Sequence, residues 1–224
     1  MSEVAFDDAA RAALAAGARR VADSGLVVGS AGNLSMRSGE RVLITPRGAL
    51  LEAIDPAGCV EIALEDGAVA ADHGASSRPS SEEALHRAIY AATWSGAIVH
   101  THSHYATVLS TLVDELPAIH YTINAFGGPV RVARYECFGT EALANSVTEA
   151  MEGRSAALMA NHGAIVAGHD VEDAVGKAIQ LEWLASIHYH AIVAGTPSIL
   201  SQPDLDAVRE RARELRHATE IGVP

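Results

Sequence analysis

Residues 97–104 read Ala97-Ile98-Val99-His100-Thr101-His102-Ser103-His104, an apolar run that passes directly into alternating histidines. The leading residues are small or β-branched and predict a short buried strand. In extended backbone, residues two apart project from the same face, so His100 and His102 present their imidazoles side by side at the strand's end. Two neutral ring nitrogens placed in this way can share one cation while the mouth of the sheet stays open to a small molecule. The plainer reading of a His-x-His pair is two hydrogen-bonded histidines on a strand that happens to end there. A helix is expected to begin near His104 and to turn that side chain away.

Outward from this stretch, Ala156-Ala157-Leu158-Met159-Ala160-Asn161-His162-Gly163 repeats the arrangement: a buried strand ends in a histidine. The glycine that follows permits a tight turn or a close backbone approach. A single histidine at a strand end is more often merely hydrogen-bonded. Upstream, Pro79-Ser80-Ser81-Glu82-Glu83 opens a helix expected over 82–93, with Leu85, Ile89 and Ala92 at helical spacing. As an ordinary helix start, a serine and Glu83 make a capping arrangement and the acids favour the helix dipole. That account explains the helix but not the gathering of histidine-bearing strand ends. The same serines, with the free N–H groups of a helix start, also form a local anion site. Gly29-Ser30-Ala31-Gly32-Asn33 and Thr45-Pro46-Arg47-Gly48 are further loops with exposed amides, and Arg47 adds a forked cation suited to an oxyanion. Each such loop is a turn first and a binding site second.

Elsewhere, apolar spacing predicts helices over 5–23 (Phe6, Ala10, Leu14, Ala18, Val21), 105–112, 140–151 and 171–194, and a last amphipathic helix carrying Leu205, Val208, Ala212 and Leu215. Strands are predicted over 41–44, 130–133 and 156–160, a hairpin over 59–64 and 67–70, and a polar loop over 72–81. Several strands follow one another through short turns before a helix intervenes, so an α/β layered fold with a mostly antiparallel sheet is expected. With 224 residues, 49% of them hydrophobic, and no repeat or linker, the chain is expected to form a single domain over 1–224. Sixteen Lys plus Arg against 28 Asp plus Glu give a net charge of −12, a field that disfavours nucleic acid and anionic membranes. Any anion must be caught locally. The acidic start and the lack of an apolar stretch of bilayer length lead to the expectation of a soluble, cytoplasmic protein. Cys59 and Cys137 form neither a C-x-x-C pair nor a dense framework, so both are expected to be reduced, buried thiols.

With these segments placed, the sequence resembles the class II aldolase/adducin family, most closely its L-fuculose-phosphate aldolase type. The resemblance runs in order through Gly32-Asn33-Leu34-Ser35 with Arg37, Ile44-Thr45-Pro46-Arg47-Gly48, Pro79-Ser80-Ser81-Glu82, Val99-His100-Thr101-His102, Pro117-Ala118-Ile119-His120-Tyr121, Phe138-Gly139-Thr140 and Asn161-His162-Gly163. It implies a three-layer domain and a zinc ion held by His100, His102 and His162. Glu82 would be the fourth ligand at rest and the catalytic acid/base once substrate displaces it. Manganese or cobalt would accept the same ligands. Phosphate contacts are implied from Gly32, Asn33, Ser80 and Ser81 with the loop at Arg47 and Gly48. The resemblance also implies a homotetramer with sites between subunits, in which Tyr121 reaches a neighbour's site as proton donor.

The activity implied is metal-dependent cleavage of a ketose 1-phosphate, such as L-fuculose 1-phosphate, to dihydroxyacetone phosphate and an aldehyde. The rivals are decarboxylation of a phosphorylated 3-oxo sugar acid, epimerisation or dehydration on the same metal site, and a non-catalytic adducin-head-like interaction module. The intact His100, His102, His162 and Glu82 set argues against the last. Two departures from the family pattern stand out. Arg47 occupies a position where a small hydroxyl residue is common, which opens the anion pocket to a carboxylate as well as a phosphate. The last tyrosine is Tyr189, so the tail over 215–224 lacks the tyrosine that the aldolases carry there.

Overall fold

The computed structural model describes residues 6–70 and 78–220, with side chains as far as Leu215. Among these residues one sheet contains β1 Asn33–Ser38, β2 Arg41–Ile44, β3 Val60–Ala63, β4 Ala97–Thr101, β5 Glu115–Leu116, β6 Val130–Ala133, β7 Ala156–Met159 and β8 Gly163–Gly168. The order across it is β3-β2-β1-β4-β8-β7-β6-β5. Every pairing is antiparallel except β6 with β7, so the sheet is mixed with an antiparallel majority. The helices are α1 Asp8–Asp23, α2 Glu83–Ala92, α3 His104–Leu109, α4 Glu141–Ala150, α5 Val171–Ala194 and α6 Gln202–Glu220.

Side-chain alternation along the strands divides the core in two and produces three layers. Ala97 and Val99 of β4, Ala156 and Leu158 of β7, and Ala164 and Val166 of β8 pack with α1, α3 and α5. Their neighbours Ile98, Ala157, Met159, Ile165 and Ala167 pack with α2 and α4. Strands buried on both faces read as continuous apolar runs, which is why β4 and β7 are visible in the sequence. Each fully buried Leu or Ile, such as Leu14, Leu34 or Ile98, contributes roughly 1.5–3 kcal/mol from leaving water.

Local chemistry sets the helix ends. Asp7 accepts a hydrogen bond from the Ala10 amide at 2.8 Å, so α1 starts at Asp8 rather than at 5, a residue outside those described. Phe6, read as the first residue of the buried stripe, is buried just ahead of the helix. Asp170 caps α5 through the Asp173 amide, and Gly195 ends it, matching the predicted 171–194. The strands over 41–44 and 130–133 also fall as predicted. The second arm of the predicted hairpin is reduced to a single bridge between Ile62 and Val69. Of the predicted loop, 72–77 lies outside the described residues, and Pro79 bridges to Pro46. Cys59 is buried, and burial pushes its thiol up to about 11, whereas Cys137 is exposed, contrary to expectation. It follows Glu136 on the surface segment between β6 and α4, where no core element covers it. Among the described residues, no helix is long and apolar enough to cross a membrane.

Candidate metal centre

Three elements bring the histidines together. His100 lies near the end of β4, opposite Ile165 of β8, and its Nδ1 is 3.0 Å from the Ala164 carbonyl oxygen. That carbonyl can only accept, so Nδ1 carries a proton and Nε2 is the nitrogen that faces the site. His102 follows on the same face, with its Nε2 3.0 Å from His100 Nε2. His162 arrives from the β7–β8 turn, where Asn161 takes a left-handed conformation at φ 55°. Gly163 is required at this crossing, because a Cβ there would lie 2.1 Å from the Thr101 carbonyl oxygen. The three ring centroids are 4.8–4.9 Å apart, and the three ligating nitrogens lie within 4.8 Å of one another. His104 opens α3 and is exposed, turned away as expected.

Glu82, at the N-cap of α2, closes the fourth side. Its Oε2 is 3.1 Å from His100 Nε2, and its Oε1 is 3.5 Å from His162 Nε2. Oε1 is buried without a hydrogen-bond partner, which leaves a lone pair directed at the histidines. The alternative capping arrangement does not form: Glu83 pairs with Arg87 at 2.6 Å, and the Ser80 hydroxyl accepts from the Glu82 amide at 3.3 Å. Burial first, and then the neighbouring imidazoles, push His102 and His162 down to about 4, so both are neutral near pH 7. Burial alone would raise the Glu82 carboxyl, but His100 and the Asn33 amide outweigh it and hold the group below the ordinary range. Three imidazoles and one ionised carboxylate are a donor set that fits a divalent cation of zinc's kind.

Beside these groups is a cavity of about 310 Å³. Its lining contains all the residues predicted to contact phosphate: Gly32, Asn33, Arg47, Gly48, Ser80 and Ser81. The Pro46–Pro79 bridge and the Ser80 amide bond to the Thr45 carbonyl at 3.1 Å press the two loops together. Arg47 is exposed, and among the described residues its guanidinium has no hydrogen bond or ion pair. Tyr135, Glu136, Phe138 and Asn161 also line the cavity. Tyr121 is not part of it; this side chain is 50% exposed, with its ring against His120. A larger groove of about 1070 Å³ runs past Trp94, Arg154 and Lys177 and contains none of the predicted site residues.

Sequence reasoning missed the support behind Glu82. Asn33 Nδ2 donates to Glu82 Oε2 at 2.9 Å, and Asn33 Oδ1 is 2.6 Å from His86 Nε2. Ser35 Oγ is 2.7 Å from His86 Nδ1 and 2.8 Å from the Tyr90 hydroxyl. The available signal was polar residues recurring at four-residue spacing along an otherwise apolar helix face, 82, 86 and 90, opposite 33 and 35 on a strand.

Residues 12–189 match the Class II Aldolase and Adducin N-terminal domain. The chain is 37% identical over 196 residues to 5-methylthioribulose-1-phosphate/5-deoxyribulose-1-phosphate aldolase of Rhodospirillum rubrum, covering 87% of this chain and 86% of that protein. It is 35% identical over 190 residues to L-fuculose phosphate aldolase of Escherichia coli, covering 84% and 86%. A solved L-fuculose 1-phosphate aldolase superposes with a TM-score of 0.87 at 32% identity, over 95% of this chain and all of that one. With the match extending from α1 through most of α5 and the fold shared throughout, the chain belongs to the class II aldolase and adducin family.

Proposed function

We propose that this chain is a metal-dependent aldolase that cleaves a ketose 1-phosphate into dihydroxyacetone phosphate and an aldehyde. The observation that carries this reading is the convergence of three imidazoles and Glu82 at the edge of a cavity lined by anion-binding groups. His100, His102, His162 and Glu82 would hold the cation: zinc, or manganese or cobalt in its place. A cation held there supplies positive charge beside the carbanion that carbon–carbon cleavage leaves. The Ser80 and Ser81 hydroxyls, the Asn33 amide, the backbone at Gly32 and Gly48, and the Arg47 guanidinium receive the phosphate. Glu82, buried and partly desolvated, moves the proton at carbon of the dihydroxyacetone phosphate fragment. Tyr121, exposed and outside its own chain's cavity, exchanges a proton with the aldehyde oxygen in a neighbouring subunit's site of a homotetramer.

The names of the relatives suggest 5-deoxyribulose 1-phosphate, 5-methylthioribulose 1-phosphate and L-fuculose 1-phosphate as substrates. The Tyr135 and Phe138 rings in the lining suit the apolar far end that all three share. We place the reaction in the cytoplasm, where phosphorylated sugars are retained. A second reading, decarboxylation of a phosphorylated 3-oxo sugar acid, is favoured by Arg47 in the cavity lining, whose guanidinium can orient a carboxylate. The test is incubation of purified protein with the three ketose 1-phosphates and a phosphorylated 3-oxo acid, followed by assay for dihydroxyacetone phosphate and carbon dioxide. Dihydroxyacetone phosphate is expected, with activity lost to chelator and restored by zinc. Carbon dioxide alone would establish the second reading. A protein without bound divalent ion and without turnover would be an interaction module.

A further inference from the structure

Behind Glu82, one face of α2 and one face of β1 interlock as a polar ladder. Glu82, His86 and Tyr90 stand four residues apart on the helix, and Asn33 and Ser35 two apart on the strand. Four helical residues rise about 6 Å and two strand residues about 6.6 Å, so rungs from the two elements alternate without losing register. The surroundings are apolar: Leu85, Ile89 and Ile98 of the same layer are buried. A fully buried polar chain in such a layer contributes no more to stability than well-packed hydrophobic residues would. Its distinguishing feature is where it ends, on the carboxylate at the edge of the cavity.

The directions of the hydrogen bonds follow from that end. An ionised carboxylate only accepts, so Asn33 must turn its NH2 toward Glu82 Oε2 and its carbonyl oxygen toward His86. His86 Nε2 must then carry a proton, and Nδ1 of the neutral ring accepts from Ser35, which accepts from Tyr90. Only one of the two neutral tautomers of His86 satisfies the chain. Without the Nε2–H, nothing stops the Asn33 amide from flipping and setting its carbonyl against the carboxylate.

Resting on the aldolase reading above, we propose that His86 is a positioning residue for the reaction, holding the Asn33 amide so that one of its N–H groups fixes the Glu82 carboxylate for proton transfer. Full burial keeps the ring neutral, in agreement with this role.

The experiment compares His86→Gln with His86→Asn in zinc-loaded full-length protein. The glutamine amide reaches the position of Nε2 and restores the donor to Asn33, whereas asparagine reaches only toward Ser35. The expected result is kcat for 5-deoxyribulose 1-phosphate within about fivefold of the wild type for His86→Gln and about 10–100-fold lower for His86→Asn. KM, zinc content and Tm are expected to be similar in the two variants. Equal kcat values, or equal loss of zinc and Tm in both, would overturn the proposal, since His86 would then only fill the core. A second readout needs no turnover: nitrogen NMR of histidine-labelled, metal-free protein should show His86 protonated at Nε2 alone. A proton on Nδ1 overturns the proposal whatever the turnover, whereas a wild type inactive on every ketose phosphate overturns the aldolase reading.

Discussion

At the scale of single residues, the centre separates ligands that only bind from one that also reacts. His102 offers a neutral nitrogen and nothing else, so His102→Ala is expected to lower bound zinc well below one per chain, with activity falling in proportion. Glu82→Gln keeps an oxygen donor but cannot carry a proton, so zinc is expected to stay near the wild-type level while turnover falls roughly 10²–10⁴-fold. Metal analysis beside steady-state kinetics checks both, and equal zinc loss in the two variants would deny Glu82 a separate role. Arg47→Ser, which removes a guanidinium from the cavity lining, is expected to raise KM for a phosphorylated ketose with little change in kcat; unchanged KM makes Arg47 a turn residue. The histidines were legible because each stands where an apolar strand ends, a local pattern. His86, Ser35 and Tyr90 were not, because each is an unremarkable polar residue until α2 packs on β1. The role of Glu82 was legible only through family resemblance, since its own neighbourhood reads equally well as a cap.

At the scale of elements, what is legible follows burial and capping. The central strand β4 and the helix α5 announce themselves by apolar runs and by Asp170 and Gly195. β8 was not predicted: Gly163-Ala164-Ile165-Val166-Ala167-Gly168 is a short apolar run beginning and ending in glycine, residues that usually punctuate chains. Those glycines are required by close contact, not by turning. A Cβ at Gly168 would meet the Ala174 amide nitrogen at 2.4 Å, and one at Gly163 would meet the Thr101 carbonyl oxygen at 2.1 Å. Both obstacles are backbone and cannot rotate aside. Gly163→Ala is therefore expected to push β8 from β4, displace His162 and lower stability by about 1–3 kcal/mol. Gly176→Ala in α5 has nothing within 4 Å of the new Cβ and should stabilise the protein by about 0.5–1 kcal/mol. Denaturant melts with zinc analysis decide the pair; zinc binding that survives Gly163→Ala would mean the turn is not what sets His162.

At the scale of the whole molecule, the α/β class and the antiparallel majority were legible from the run of strands, but the strand order and the single parallel pair were not, because they depend on contacts between distant segments. The site draws on residues from 32 to 163, so folding itself assembles it, and protons compete with that assembly. In the metal-free protein, His86 is pushed down to about 3 and His102 and His162 to about 4, from an ordinary 6.5. As pH falls below 6.5, the unfolded chain takes up protons that these buried rings refuse, so stability drops with acid and the loss levels off only below the folded values. Glu82 acts in the same direction: its carboxyl is held below 4.5 in the fold, and the stability it gives is lost as pH falls through the folded value. A bound divalent ion requires the same deprotonated groups, so zinc should raise Tm at pH 7 and lose that effect as the medium approaches pH 4. Calorimetry with chelator and with zinc across this range should show two curves that converge in acid. A chelated protein whose Tm is flat between pH 7 and pH 5 would mean that these imidazoles accept protons without penalty, and hence that they are not packed against one another as the geometry requires.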